Sequence, residues 1–323
     1  MQRIMGRVTL VLLVTVMVFT SGCTFGEAAD YVMIDGRQFR TTLTELMLEG
    51  DLSDDDLLPL QYMTGLERLS IGGSRLTDIS PLAYLPHLTT LSLRAASDVD
   101  LSPLNDLVGL TVLDLHLDET GDLEMIKGLA NLTFLQVFTT GLSDITALAG
   151  LVDLETIILR PTDGIGSVID VTPLVRLPNI EILDLRGNHL IDIAPLTYLT
   201  SLEVLLLSHC QLDDISPLAN LVNLRYLDLI DNKIRCVAPL SGLKHLEALL
   251  LGQNQISCVE PLSDLMNLEF LLLCQTSVYD VTPLRNLARL EYLYIVHSQV
   301  NDWSPVAHVK NVINGDSCRV LGL

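Results

Sequence analysis

The 323-residue chain carries 19 Lys plus Arg against 40 Asp plus Glu, a formal charge of -21. Nucleic-acid binders gain affinity by neutralising phosphates with cationic side chains, so this balance argues against DNA and RNA as partners. A hydrophobic content of 49% excludes a disordered chain, and with aromatics at only 5% the apolar mass is aliphatic.

The N-terminus reads MQRIMGRVTLVLLVTVMVFTSGC, with Arg3 and Arg7 ahead of an apolar run over residues 8–19 and small residues after it. That order is the one a secretory signal uses. The run is short for a bilayer core of about 30 Å, which takes roughly 20 helical residues. Ser21-Gly22-Cys23 resembles the lipobox of bacterial lipoproteins, although Thr20 stands where that family usually carries Leu. The resemblance implies a signal peptide over residues 1–22 and lipid attachment at Cys23. Residues 23–42 then form a lipid-anchored tether and N-terminal cap, the tether itself running from Thr24 to about Asp35. The alternative is a plain signal peptide with an incidental cysteine.

A repeat follows. Leu66-Glu-Arg-Leu69-Ser-Ile71 leads to Leu76, Asp78, Ile79, Pro81, Leu82 and Leu85, and the frame returns 22 residues later from Leu88. It restarts at Leu110, Leu132, Leu154, Ile180, Leu202, Leu224, Leu246, Leu268 and Leu290, with a degenerate first copy at Leu43 and an insertion around residues 161–168. About twelve copies of LxxLxLxxxxLxDIxPLxxLxx therefore occupy residues 43–309, leaving 310–323 as a C-terminal cap or tail. This pattern resembles the 22-residue leucine-rich repeats of bacterial internalins and of the eukaryotic phosphatase-regulator class. The fold it implies is an α/β leucine-rich repeat solenoid: a curved parallel sheet with short helical or 3-10 turns on the convex side.

The repeat has a physical reading of its own. LxxLxL turns alternate side chains inward on a short strand. Ser80-Pro81, Ser102-Pro103, Thr172-Pro173, Ser216-Pro217, Thr282-Pro283 and Ser304-Pro305 each open a helical turn. The Ser or Thr hydroxyl is expected to cap free amides, and Pro fits the first turn. The column Asp78, Asp100, Asp122, Asp144, Asp170, Asp192, Asp214, Asp280 and Asp302 precedes those turns, so much of the acidity reads as architecture.

No HExxH, GxSxG, P-loop or CxxC motif is present, and the reading is of a non-enzyme without cofactor or metal. The cluster Asp51, Asp54, Asp55 and Asp56 lacks the spacing of an EF-hand and reads as the solvated edge of the first repeat. Cys236 and Cys258, 22 residues apart in the Asp column, fall near disulfide distance on stacked rungs. Their side chains would run parallel, so a bond and two reduced thiols both stay open.

Function is expected on strand residues facing the concave side. Val204, Leu206, Tyr226, Ile230, Leu250, Phe270, Leu272, Tyr292, Tyr294 and Val296 make that face apolar in the C-terminal repeats. A contiguous exposed apolar patch marks a partner site, unless the chain's own tail from Lys310 to Leu323 covers it. The middle repeats add Phe134, Phe138, Arg160 and Arg186, a mixture suited to an interface rim with anchors.

The sequence thus predicts a monomeric, exported protein, lipid-anchored to the bacterial membrane outside the cytoplasm. It binds a protein partner of unknown identity through its concave face, as an adhesion or interaction scaffold, and binds no nucleic acid. The alternatives are an intracellular regulatory scaffold of the phosphatase-regulator type and a glycan-binding surface module.

Overall fold

Two residues per pleat and 22 per repeat together fix the architecture: each LxxLxL becomes a strand whose leucines register with those of the next. A computed structural model describes residues 31–314 apart from 51, 74, 97, 165 and 297. Cys23 and the signal segment, like Cys318, lie outside the described residues.

The described chain opens with an antiparallel hairpin, β1 (Tyr31–Ile34) and β2 (Arg37–Arg40). Asp35 and Gly36 link them at φ of 48° and 68°, the left-handed pair that two-residue hairpin turns require. Ile34 is buried beneath the hairpin. The tether expected to reach Asp35 is therefore corrected: residues 31–40 are a folded cap.

The chain divides into two compact units, whose described parts are residues 31–167 and 168–314. In the first unit β3 (Glu45–Leu48), β4 (Arg68–Gly72), β5 (Thr90–Ala95), β6 (Val112–Glu119), β7 (Phe134–Thr140) and β8 (Thr156–Arg160) pair in parallel and in sequence order. A single turn of helix, α1 (Asp54–Leu57), follows β3. In the second unit β9 (Val168–Ile169) pairs with β11 (His189–Leu190). The main parallel strands there are β10 (Ile182–Asp184), β12 (Val204–Leu206), β13 (Tyr226–Asp228), β14 (Ala248–Leu250), β15 (Phe270–Leu272), β16 (Tyr292–Tyr294) and β17 (Asn311–Ile313). Leu205, Leu227, Leu249, Leu271 and Leu293 stand in one register and are fully buried. Each such leucine contributes about 1.5–3 kcal/mol of burial.

Each return run forms a 3-10 turn, most with Pro in the first two positions, as at Ser216–Asn220 and Thr282–Asn286, while Glu124–Ile126 and Thr146–Gly150 carry none there. The cap differs from expectation. The Ser or Thr hydroxyl does not cap the turn; the aspartate two residues earlier does. Asp78 accepts the Ser80 N–H at 2.7 Å, Asp144 that of Thr146 at 2.8 Å and Asp192 that of Ala194 at 2.7 Å. A carboxylate placed two residues ahead reaches the free amide directly, and a hydroxyl inside the turn cannot. The architectural reading of the Asp column holds through this geometry.

The second unit carries a feature absent from the consensus above. Asn232 is buried; its Nδ2 donates to the carbonyls of Leu207 and Leu229 at 2.9 and 3.0 Å, and its Oδ1 accepts from Leu212 at 2.9 Å. Asn254 repeats this one rung on, donating to Leu229 and Leu251 and accepting from Ile234. One side-chain amide thus serves backbone groups of two successive repeats. The residue before each such position is left-handed, at φ 51° for Asp231 and 57° for Gln253. These bent exits shorten the strands to three residues, where β6 in the first unit runs eight.

Candidate functional site

The far face of each sheet, turned away from the leucine core, is where side chains are free to vary. In the first unit its last column reads Arg94, His116, Phe138 and Arg160 on successive rungs. The His116 and Phe138 rings lie 4.7 Å apart at 33°, and the Arg160 guanidinium sits 5.7 Å from the Phe138 centroid. Phe138 is thus sandwiched between an imidazole and a cation, an arrangement that holds all three side chains in a fixed order.

The support beneath is polar. Asp114 is only 4% exposed. Its carboxylate accepts from Ser92 Oγ at 3.0 Å and Gln136 Nε2 at 2.8 Å, and lies 3.3 Å from His116 Nε2. A buried carboxylate is tolerable only with such donors around it. Asp114 is the group that positions His116. Phe134, Phe138 and Arg160 are half-buried, leaving part of each accessible.

The second unit holds a different set. Asp184 is fully buried and paired with Arg186, whose Nη2 and Nε approach it at 2.6 and 2.9 Å. Asp228, 2% exposed, accepts the Ile230 N–H at 3.0 Å. Burial pushes its carboxyl above the usual range, while the Ile230 N–H, the Arg186 charge and the Ser208 hydroxyl oppose that. Burial likewise pushes the Tyr226 phenol up, with the Asp228 charge adding to it.

The apolar residues beyond are not the exposed patch that the sequence suggests. Val204, Leu206, Ile230, Leu250, Leu272, Tyr294 and Val296 are all buried, Leu250 to 3% and Tyr294 to 6%. Ile230, Ala248, Leu250, Leu272, Cys274, Tyr294 and Val296 form one cluster, against which Tyr226, Phe270 and Tyr292 pack half-buried. Rungs about 4.8 Å apart let such side chains close on one another. Phe270 lies 5.2 Å from the Tyr294 ring.

The cysteines resolve as well. Cys236 and Cys258 are free and exposed, so no disulfide joins them; stacked side chains point the same way and do not converge. Cys210 takes the place of the buried asparagine, its thiol donating to the Leu185 carbonyl at 3.3 Å. Burial pushes that thiol up to about 12, which makes it unreactive. Cys274 is disulfide-bonded.

The acidic cluster at the first repeat is structural. Asp54 accepts the N–H groups of Thr77 and Asp78, and Asp56 accepts the N–H and hydroxyl of Ser53. Asp51 lies outside the described residues. Among the described residues no group of three or more His, Cys, Asp or Glu is placed to hold a metal ion, and no helix is long and apolar enough to cross a membrane.

Two leucine-rich repeat family matches, each of two copies, cover residues 178–220 and 200–242. An internalin C2 from Listeria monocytogenes is 31% identical over 58% of this chain and 83% of its own, with a TM-score of 0.53. The chain belongs to the internalin-like leucine-rich repeat family. A second Listeria monocytogenes internalin, inlF, superposes with a TM-score of 0.70 at 24% identity, covering 87% of this chain and 91% of that one. The fold is also shared with the plant peptide hormone receptor RGFR1, solved in complex with RGF2, at 15% identity and a TM-score of 0.54 over 83% of this chain and 52% of the receptor. No curated protein matches the sequence. The internalin-like frame accounts for the sheet, the 3-10 turns and the buried leucines; the stack around Phe138 lies at positions outside that leucine frame.

Proposed function

We propose that this internalin-like chain is a protein-binding scaffold that acts without catalysis, as a monomer, from the outer surface of a bacterial membrane. The observation that carries the reading is the His116–Phe138–Arg160 stack, braced from below by Asp114 and left partly accessible. A rigid aromatic flanked by a cation offers a partner an apolar anchor and a counter-charge at once. Aromatic and Arg side chains are the usual hot spots of interfaces. The plant receptor of the same fold is solved with a peptide ligand, which supports a protein or peptide as the partner class here.

The signal segment and Cys23 support membrane attachment. Radiolabelled palmitate is expected in the intact protein and not in Cys23→Ser; label in the mutant removes the anchor from this reading. For the binding face, a photo-crosslinking side chain at position 138 should trap a partner on intact cells. The same group at Tyr198, exposed on a return turn, should trap nothing. Equal trapping at the two positions would refute the site.

A further inference from the structure

The column that opens the 3-10 turns holds Asp on nine rungs and Cys on two, and those two are neighbours, Cys236 and Cys258. Both thiols are free and exposed. On the flanking rungs the column still caps, Asp214 accepting the Ser216 N–H and Asp280 that of Thr282, each at 2.8 Å. A thiol is a weak acceptor. Two successive rungs therefore trade a strong turn acceptor for a pair of sulfurs.

The backbone beneath the pair repeats closely. Just ahead of the column the Gln255 N–H donates to the Ile234 carbonyl at 2.9 Å. Just after it Val237 and Val259 take φ, ψ of -103°, 11° and -116°, 14°. In the first unit the same column pairs in parallel, Asp78 with Asp100. Cys236 and Cys258 are thus related by a translation of one rung, about 4.8 Å. A disulfide draws its Cβ atoms to about 3.8 Å, whereas translation keeps them at the rung spacing. A metal–thiolate bond is about 2.3 Å long, so an ion held between two sulfurs spans up to about 4.6 Å. The gap that bars a direct bond fits a two-coordinate ion.

We propose that Cys236 and Cys258 form a two-thiolate clamp for a soft monovalent ion of the Cu(I) class. Thiolates select soft ions. Structural zinc takes four ligands, and among the described residues no group of three or more His, Cys, Asp or Glu is placed to hold a metal. Binding breaks two S–H bonds, forms two S–Cu bonds and releases two protons to solvent, with no change in the oxidation state of the ion. The Asp214 and Asp280 carboxylates, one rung out on either side, attract the cation. Arg235, beside Cys236 in the chain, is turned to Gln255 Oε1 at 2.8 Å. The clamp lies in the second unit and does not rest on the binding role proposed for the first.

The test uses the full chain, purified without thiol reductant and kept anaerobic with ascorbate. Cu(I) is supplied as its bicinchoninate complex, whose colour falls as the protein takes the ion. One Cu(I) per chain is expected, retained in Cys23→Ser and Cys318→Ser. Affinity should fall about tenfold or more in Cys236→Ser and equally in Cys258→Ser, because the clamp needs both thiolates. Iodoacetamide labelling of Cys236 and Cys258, read by mass spectrometry, should slow about tenfold with Cu(I) and not with equimolar Zn(II). Unaltered uptake in either of those two serine variants, or equal protection by Zn(II), overturns the proposal. So does a Cys236–Cys258 linked peptide formed on diamide oxidation, because the sulfurs would then converge and need no ion between them.

Discussion

Asp214 Oδ1 accepts the backbone N–H of Ser216 at 2.8 Å, and the same two-residue relationship recurs from Asp78–Ser80 to Asp302–Ser304. Each carboxylate supplies the acceptor that the opening amide of a 3-10 turn lacks. The Ser216 amide and hydroxyl hold the Asp214 carboxyl below its usual range, and donors two residues on do the same for Asp100, Asp144, Asp170, Asp280 and Asp302. A depressed folded-state pKa contributes stability that is present above the unfolded value, near 4, and lost as pH falls through the folded one. Thermal midpoints measured across pH should therefore stay level from neutrality to about pH 5 and drop below about pH 4. Replacing several of these aspartates with Ala should lower the neutral midpoint and flatten the acid slope. An unchanged slope would deny the column its capping role.

The two repeats that lack this cap give the converse. Cys236 and Cys258 occupy the column, free and exposed, ahead of Ala238 and Glu260. Cys236→Asp places a carboxylate two residues before the Ala238 amide and should stabilise by about 0.5–1 kcal/mol in urea unfolding. Cys236→Ala is the control and should be neutral; equal effects of the two would mean the turn needs no side-chain acceptor.

Asn232→Ala removes donors to Leu207 and Leu229 and the acceptor for Leu212, all buried. Stranding such groups costs about 1–3 kcal/mol each, so the loss should rival that of the core truncation Leu229→Ala, about 2–5 kcal/mol. Denaturant midpoints of the two variants make the comparison. A cost below about 0.5 kcal/mol for Asn232→Ala would mean water replaces the amide without penalty.

These positions show where the sequence was readable. The leucine frame and the Asp column repeat every 22 residues and act within one turn, so periodicity exposes both. The asparagine position escaped because Asn188, Cys210, Asn232, Asn254 and Thr276 fill it in turn, while the first unit holds Ala96, Asp118 and Thr140 there. Its signal lies in shared chemistry, a small polar group that serves backbone, as Thr276 does for Leu273 at 2.7 Å. The Ile34-Asp35-Gly36-Arg37 turn is legible from its Asp-Gly pair, a stronger signal than the polar composition that suggests a tether. The burial of Leu250 and Leu272 depends on contacts distant in sequence, and no strand pattern encodes it. Stacking of His116, Phe138 and Arg160 follows from register alone, but the support from Asp114 depends on side-chain directions that register does not encode.

The buried charges of the second unit separate two kinds of carboxylate. Asp184 is paired with Arg186, so Arg186→Ala leaves a fully buried, uncompensated charge and should cost about 3–5 kcal/mol. Asp228 instead has its carboxyl raised, chiefly by burial. A raised folded-state value means the ionised form is disfavoured on folding, so stability grows as pH falls through it. Asp228→Asn keeps the acceptor for Ile230 and discards the charge. It should be neutral or stabilising at pH 7, with less advantage as the pH is lowered. Chemical denaturation at pH 7 and pH 5 checks both variants, and a destabilising Asp228→Asn would show that the site needs the negative charge.

The binding face can be located by truncation on both units. Phe138 and Arg160 are half-buried and touch each other, so Phe138→Ala removes the anchor and the ring face beside the Arg160 guanidinium. If they hold a partner, each truncation should weaken its capture by about 1–4 kcal/mol, with only a small change in melting temperature. Tyr292 in the second unit packs against the buried cluster and lies 6.2 Å from the Phe270 ring. Its truncation should lower the melting temperature and leave capture intact, because its ring is engaged in packing on that cluster. Ile191, 75% exposed outside the far-face columns, serves as the neutral control. Titrating the crosslinked partner, once purified, against the four variants reads capture and stability on one set. Weakened capture in Tyr292→Ala with undiminished capture in Phe138→Ala would move the site to the second unit, at the edge of its buried cluster.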